Sequence, residues 1–197
     1  MKIREKKKEK AKKKIYSSAM RLFAEKGFDN TTISEIANLA GVSRGSFFNY
    51  FRHKEAVLIF HVSQYFNSLE ADILGNNKNK SPFEIIYCLT DRFAIYAAEN
   101  KHLVVPLCFE LLNTNPERSK HAFLSLGIVP LIRQNLELAR AQGQIRQDYS
   151  IERLTRTLAN SIFLSTLYWA NYRSDGCIRK ELKIALDLCL NGLVAGQ

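Results

Sequence analysis

The sequence predicts an all-α fold, and three observations support that prediction. Glycine and proline are scarce, at 9 and 4 of 197 residues, which argues against a turn-rich all-β fold. Apolar residues recur every three or four positions through most of the chain, which is the period of an amphipathic helix. Several of these periodic stretches begin at a serine or threonine, the residues that favour the N-cap of a helix.

The net charge of +10 is concentrated at one end of the chain. Residues 1–14 contain nine basic and two acidic side chains, residues 15–60 contain five and four, and the remainder contains fifteen and thirteen. We therefore expect residues 1–14 to form a basic helical arm. The arm is either a solvated helical extension or a segment that seeks phosphate groups, and both interpretations can hold together.

From Ile15 the pattern becomes amphipathic, which predicts the first helix with a buried face. Gly27 is expected to end this helix in the left-handed conformation. Phe28 would then pack back on Phe23, as in the hydrophobic contact of a Schellman-type helix end.

Two short helices joined by a tight turn are expected next. Thr32 and Glu35 form a capping box at the start of the first. Gly41 supplies the positive φ of the turn, and Ser43 caps the second helix. This arrangement is typical of a helix-turn-helix, although an ordinary corner between two helices has the same pattern. The basic charge and the exposed position of Arg44 favour a helix-turn-helix, whose second helix enters the major groove of DNA.

The same residues resemble the DNA-binding domain of the TetR family. The resemblance lies in the segments AMRLFAEKGF, TTISEIA and AGVSRGSFFNYFRHKE, which run without a gap in spacing from residue 19 to residue 55. It implies a sequence-specific transcriptional regulator, and we expect a repressor that binds a pseudo-palindromic operator as a homodimer. The partners implied are double-stranded DNA, a second copy of the chain and a small-molecule effector.

The resemblance also implies which residues contact DNA. The residues expected to contact base edges are Arg44, Gly45, Ser46 and Asn49. Those expected to contact phosphates are Thr32, Ser43, Tyr50 and Lys54. Phe48 departs from the family pattern, since most members carry a tyrosine there whose hydroxyl meets a phosphate; that contact is lost or is replaced by Tyr50. Arg44 is the strongest candidate for reading a base, with a phosphate contact as the alternative.

Beyond residue 54 the helices lengthen and the charge is balanced. We expect a basic arm at 1–14, a three-helix DNA-binding domain at 15–54, and an effector-binding and dimerisation domain at 55–197 that a long helix joins to it. Within the last domain the pattern predicts helices near 54–74, 82–100, 102–113, 117–142, 150–172 and 178–194. A polar loop is expected at 75–82, and Gly127 and Pro130 should bend or divide the helix at 117–142.

Aromatic residues are frequent in this domain, and two interpretations stay open. They form either the wall of a pocket for a small apolar or aromatic effector or the core of a helical bundle. The candidate pocket residues are Tyr65, Phe66, Tyr87, Phe93, Tyr96, Phe109, Phe123, Phe163 and Tyr168. The alternative to an effector is a DNA-binding factor of the same fold that a protein partner controls or that acts architecturally.

The last two helices have broad apolar faces, which suggests contact with a second copy of the chain. In the family that the sequence resembles, these helices pair with their copies in a four-helix bundle. The candidate interface residues are Leu158, Ile162, Leu182, Ala185, Leu188 and Cys189.

The sequence does not support an enzyme, a metalloprotein or a membrane protein. There is no phosphate loop, GxSxG, HExxH or dinucleotide fingerprint, so we expect neither an enzyme nor a bound cofactor. The four histidines lack the spacing of a metal site, and a metal-sensing role for His102 and Cys108 is only a minor alternative. The cysteines, which are widely spaced, are expected to be free thiols in the core. No apolar stretch reaches the length of a membrane span or a signal peptide, and a cytoplasmic location is expected.

Overall fold

The computed structural model describes residues 3–76, 80–172 and 176–192, so residues 77–79 of the expected polar loop lie outside the described residues. The described residues form ten helices, which confirms the prediction of an all-α fold. The helices are α1 Ile3–Lys26, α2 Ile33–Ala40, α3 Arg44–Phe48, α4 Glu55–Asn76, α5 Pro82–Glu99, α6 Lys101–Leu111, α7 Pro116–Ser125, α8 Ile128–Ala141, α9 Ile151–Tyr172 and α10 Ile178–Asn191. None of the described helices is both long and apolar enough to cross a membrane.

The chain divides into two compact units, Met1–His61 and Val62–Gln197, and the division falls inside α4. The first unit has a small core to which every one of its helices contributes. Its largest fully buried side chains are each at most 1% exposed: Ile15, Phe23, Ile36, Phe47 and Leu58. Gly27 ends α1 with a φ of +82°, and the rings of Phe23 and Phe28 lie 4.9 Å apart, as the sequence predicts.

The basic arm is not separate from the first amphipathic helix. Both belong to α1, which runs for 24 residues without a break. The Lys12 ammonium lies 4.0 Å from the centroid of the Phe60 ring, a cation–π contact that holds this turn of α1 against α4. Further along α1, the Tyr16 hydroxyl lies 2.6 Å from Nδ1 of His61. Burial raises the pKa of Tyr16, so its hydroxyl keeps its proton.

The second unit packs α5, α8, α9 and α10 around a larger core. In this unit α9 contacts α10, α8 and α6, and α10 also contacts α5. The innermost side chains are Ile86, Leu89, Ile132, Leu136 and Leu158. The first of these helices, α5, begins at Pro82, as the sequence predicts, and Ser81 and Glu84 form a capping box at its start.

The expected division of the helix at 117–142 is confirmed, since α7 ends at Ser125 and α8 begins at Ile128. Gly127 lies at this junction for a steric reason. A Cβ atom at this position would lie 2.5 Å from Cβ of Phe66 in α4, which is too close for two carbon atoms. The missing side chain therefore lets the junction approach α4 closely.

A buried ion pair joins α6 to α7. Glu110 is 2% exposed, and both of its carboxylate oxygens accept hydrogen bonds from the Arg118 guanidinium, each at 2.7 Å. This two-bonded geometry is the strongest that the two groups can form, because the planar donors match the two oxygens. The pair fixes the orientation of α7 relative to α6.

The four cysteines are free thiols. Cys108 is buried, and burial raises the pKa of its thiol to about 12, so it stays protonated and unreactive. Cys177 is exposed, which shows that the expectation of four core cysteines is wrong for this residue.

Candidate nucleic-acid interface

The amino end of α2 is held by a capping box that an additional lysine strengthens. The Glu35 amide donates to Oγ1 of Thr32 at 3.2 Å, and the Thr32 amide donates back to the Glu35 carboxylate at 2.9 Å. The Lys26 ammonium also donates to this carboxylate, at 2.5 Å. The bond from Lys26, followed by those from Thr32, lowers the pKa of Glu35 to about 2. Glu35 is therefore ionised and ties the end of α1 to the start of α2.

The turn between α2 and α3 has the geometry that the sequence predicts. Gly41 has a φ of +67°, and the Val42 amide donates to the carbonyl of Ala37 at 3.0 Å. Ser43 then caps α3, since its hydroxyl accepts a hydrogen bond from the Ser46 amide at 3.0 Å. Two short helices and this turn form a helix-turn-helix.

One face of α3 is exposed and carries groups that can address bases. Arg44, Gly45, Phe48 and Asn49 are exposed, whereas Phe47 on the opposite face is fully buried. The Arg44 guanidinium lies 6.0 Å from the centroid of the Phe48 ring. Exposure on one face and burial on the other are what a recognition helix requires, because the buried residue orients the exposed ones.

Gly45 is not required by the backbone of α3. Its φ is not positive, and a Cβ atom there would lie 3.8 Å from Oγ of Ser43, an ordinary contact. The absence of a side chain leaves the first turn of α3 open to close approach by another molecule.

Three of the residues expected to bind phosphates form hydrogen bonds within the first unit. The Thr32 hydroxyl bonds to Glu35, and the Ser43 hydroxyl bonds to Ser46. Lys54 donates to the carbonyls of Phe28 at 2.6 Å and of Thr31 at 2.9 Å. Its ammonium also lies 4.2 Å from the centre of the Phe28 ring.

These contacts give Lys54 a structural task, which is to join the start of α4 to the loop between α1 and α2. Its partners lie 26 and 23 positions earlier in the chain, and no local pattern marks them. The contact between Lys54 and a phosphate stays a prediction, and the internal bonds suggest the alternative that Lys54 serves only to hold this loop. Tyr50, which is half-buried, remains available for the phosphate contact that Phe48 is unable to make.

The candidate pocket residues of the second unit differ in burial. Phe66 and Tyr96 are buried, while Tyr65, Tyr87, Phe93, Phe123 and Phe163 are half-buried. Phe109 is 65% exposed and Tyr168 is 52% exposed, so these two do not line an enclosed pocket, and their assignment to one is corrected.

Two of the half-buried tyrosines are held by hydrogen bonds within the second unit. The Tyr87 hydroxyl donates to Asp187 at 2.5 Å, and the Tyr65 hydroxyl donates to the Arg92 carbonyl at 2.9 Å. Burial, and then the bond to Asp187, raise the pKa of Tyr87 to about 12, so the hydroxyl stays protonated. These two side chains have fixed orientations.

The candidate interface residues also divide into two groups. Leu158, Ile162 and Leu182 lie in the core of the second unit, so their assignment to an interface between copies is wrong. Ala185 and Cys189 are half-buried, and Leu188 is 73% exposed.

Two rows of exposed apolar side chains do lie on the last two helices. One row is Leu164, Tyr168 and Tyr172 on α9, and the other is Ile184 and Leu188 on α10. Leu164, Tyr172 and Ile184 are not among the predicted interface residues. Their spacing of four from Tyr168 and Leu188 could have identified them. Spacing groups these residues into rows, but the sequence does not show that the rows are exposed, because both helices are apolar on more than one side.

The fold and the exposed face of α3 together define a helix-turn-helix DNA-binding protein with an additional helical unit. Residues 15–59 match the tetR family of bacterial regulatory proteins, and residues 66–192 match the C-terminal domain of TetR/AcrR family transcriptional repressors. The chain belongs to the TetR/AcrR family of transcriptional regulators.

Solved structures include a similar protein with a bound molecule. FadR of Thermus thermophilus, a TetR family transcriptional repressor in complex with lauroyl-CoA, is 40% identical to this chain. The comparison covers 94% of this chain and 96% of that one, with a TM-score of 0.85.

Curated relatives include two proteins from Bacillus subtilis. The transcriptional regulator YerO is 27% identical over 159 residues, which cover 76% of this chain but 54% of YerO, so the chain spans about half the length of that relative. A fatty acid metabolism regulator protein is 24% identical over 160 residues, which cover 79% of this chain and 81% of the relative.

Proposed function

We propose that the chain is a homodimeric repressor that binds a pseudo-palindromic operator and leaves it when a fatty acyl-CoA binds to the second unit. The observation that carries the effector class is the 40% identity, over 94% of the chain, with a repressor whose structure contains lauroyl-CoA. The exposed face of α3 supports the DNA-binding part of the proposal. A bacterial repressor of this kind works beside the chromosome, in the cytoplasm.

The side chains on α3 suggest how bases are read. Arg44 can donate two hydrogen bonds to O6 and N7 of a guanine, and Asn49 can pair in the same way with an adenine. Phe48 offers an apolar edge that suits the methyl group of thymine. Gly45 lets the helix backbone come close to the bases between these contacts.

Dimerisation follows from the size of this surface. One recognition helix makes too few contacts for tight binding, whereas two helices bind half-sites about 34–36 Å apart, one turn of DNA. We assign the interface to the two exposed rows on α9 and α10. An interface with an apolar centre, where Leu188 and Tyr172 are the most exposed side chains, would give a stable pair.

The second unit is the proposed site of the effector. Its half-buried aromatic side chains, among them Phe93, Phe123 and Phe163, are suited to an acyl chain, which is apolar and long. Binding of the acyl-CoA releases the operator only if the acyl-CoA prefers the conformation with low affinity for DNA. Equal affinity for both conformations would leave their populations unchanged.

Operator binding with and without acyl-CoA tests the proposal. A duplex would first be selected by the wild-type protein from a random library, and its affinity measured by fluorescence anisotropy. We expect lauroyl-CoA to weaken binding at least tenfold, while CoA alone and laurate alone have little effect. If acyl-CoAs from 8 to 18 carbons leave the affinity unchanged, the effector part is wrong and control by a protein partner gains support. If no duplex is selected, the DNA-binding part is wrong.

A further inference from the structure

One face of α1 carries five lysines and no acidic residue. At 100° per residue, these lysines fall within about 120° of the helix circumference. All five are exposed, and we refer to Lys6, Lys7, Lys10, Lys13 and Lys14 as the lysine stripe. Glu5 and Glu9 of the same helix fall outside it by this geometry. The stripe is therefore an uninterrupted row of positive charge rather than a mixed, solvated surface.

The stripe lysines differ from Lys12, Lys26 and Lys54 of the first unit in having no internal partner among the described residues. Lys12 lies on an aromatic ring, Lys26 pairs with Glu35, and Lys54 bonds to two carbonyls. Within the ranges that the structure describes, no hydrogen bond or ion pair involves a stripe lysine. Their positive charges are left for another molecule to neutralise.

This arrangement also works against the stability of α1. Lys6 and Lys10, and likewise Lys10 and Lys14, are like charges four residues apart, a spacing that destabilises a helix. Glu9 is favourably spaced for Lys13, four residues later, but it offers no such support to Lys10 or Lys14. Binding of a polyanion would remove the repulsion.

The stripe adjoins the helix-turn-helix. Lys10, Lys13 and Lys14 line an open groove of about 600 Å³, whose other wall is formed by residues 38–41. Those residues are the end of α2 and the start of the turn that leads to α3. The lining contains two serines and an asparagine but no carboxylate. It therefore offers hydrogen-bond donors as well as charge, and both suit a phosphate.

We propose that the lysine stripe binds the phosphate backbone of duplex DNA beside the base pairs that α3 reads. The proposal rests on the proposed function, and it adds a second contact that carries no sequence information. Lysine is suited to this role because its ammonium is a point charge that binds phosphate without the planar geometry needed to read a base. From Lys6 to Lys14 the stripe is about 12 Å long, enough to follow several phosphates of one strand.

The experiment compares two triple variants that lose the same charge. The stripe variant is Lys10→Gln with Lys13→Gln and Lys14→Gln, and the control is Lys80→Gln with Lys120→Gln and Lys180→Gln, three exposed lysines of the second unit. Each is titrated with the duplex that the wild-type protein selects and with a scrambled duplex of equal length, from 50 to 300 mM KCl. Circular dichroism checks the helix content of both variants.

The stripe variant should bind both duplexes more weakly, by roughly 10- to 100-fold at 150 mM salt. Its plot of log affinity against log salt should be less steep by up to about 5 for a dimer, since each phosphate contact contributes about 0.9. The preference for the selected duplex over the scrambled one should be unchanged. The helix content should be maintained or increased, because the repulsion along α1 is reduced. The control should have the salt dependence of the wild-type protein.

Several results would overturn the proposal while leaving the proposed function in place. One is an unchanged salt dependence of the stripe variant on the selected duplex. A second is loss of preference between the two duplexes, which would mean that the stripe supports α3 or reads bases. A third is intact DNA binding with loss of binding to phosphatidylglycerol vesicles, which would identify a membrane as the partner. Failure of the wild-type protein to select any duplex would instead count against the proposed function.

Discussion

The two units differ in how far apart in the chain their bonded side chains lie. In the first unit the side-chain hydrogen bonds that cap α2 and α3 join residues three positions apart, as between Thr32 and Glu35, and the bond between Tyr16 and His61 spans 45 positions. In the second unit Tyr87 bonds to Asp187, 100 positions later, and Arg179 bonds to Asp91, 88 positions earlier. Local bonds make the geometry of the helix-turn-helix readable from short motifs. The second unit depends on which helices meet, and short motifs do not contain that information.

The exposed rows on α9 and α10 give the prediction with the largest expected effect. Replacing Leu188 by Asp should place a charge in the proposed apolar interface and reduce operator affinity by about 100-fold or more, the loss expected at an interface hot spot. Analytical ultracentrifugation should show monomers. Leu124→Asp, an exposed leucine of α7, is the matched control and should leave the dimer intact. A Leu188→Asp protein that remains a dimer would show that the interface lies elsewhere.

The recognition helix provides the next prediction. Arg44→Ala should weaken binding to the selected duplex by roughly 5- to 150-fold, which corresponds to about 1–3 kcal/mol for a bidentate contact to a base. The loss on a scrambled duplex should be small, and one base pair of the operator should become less selective. Arg133→Ala on α8 removes an exposed arginine from the second unit and should change neither affinity. An equal loss on both duplexes would mean that Arg44 contacts a phosphate.

Lys54 tests how much the bonds between distant residues contribute to the stability of the first unit. Lys54→Ala removes two hydrogen bonds that span the unit and should lower its stability by about 1–3 kcal/mol, measured by thermal unfolding. The salt dependence of DNA binding should stay the same. Lys80→Ala, which changes an exposed lysine just before α5, should have little effect on stability. A normal melting temperature with a flatter salt dependence would support the predicted contact between Lys54 and a phosphate.

The prediction with the smallest expected effect compares the pH dependence of stability at the capping boxes of the two units. Folding lowers the pKa of Glu35 from its ordinary value near 4.5 to about 2, and lowers that of Glu84 through its bonds to Ser81. The stabilising effect of Glu35 is therefore complete above pH 4.5 and is lost as the pH falls towards 2. Glu35→Gln should flatten the dependence of melting temperature on pH between 6 and 3 more than Glu84→Gln does, because Lys26 adds a bond only to Glu35. Equal effects would show that Lys26 contributes nothing.

Most of the fold could be predicted from the sequence, since every expected helix exists and the ends set by Gly27, Ser43 and Pro82 occur where expected. The turn at Gly41 and the exposed position of Arg44 were also predictable, because a cap or a positive φ depends on its near neighbours. The bonds of Lys54 and the burial of Leu158 and Ile162 were not predictable. Each depends on a helix distant in sequence, and an apolar stripe has the same appearance in a core as in an interface.

The separation between exposed and buried sides of α3 has a consequence for how such regulators diverge. Gly45, Phe48 and Asn49 are exposed, and Phe47 alone anchors the helix in the core. Substitutions at the three exposed positions should alter the preferred base sequence with little effect on folding. Duplicated copies of the gene could therefore acquire separate operators by a few point mutations. The same three positions are the natural choice for a library that selects new DNA specificities on this scaffold.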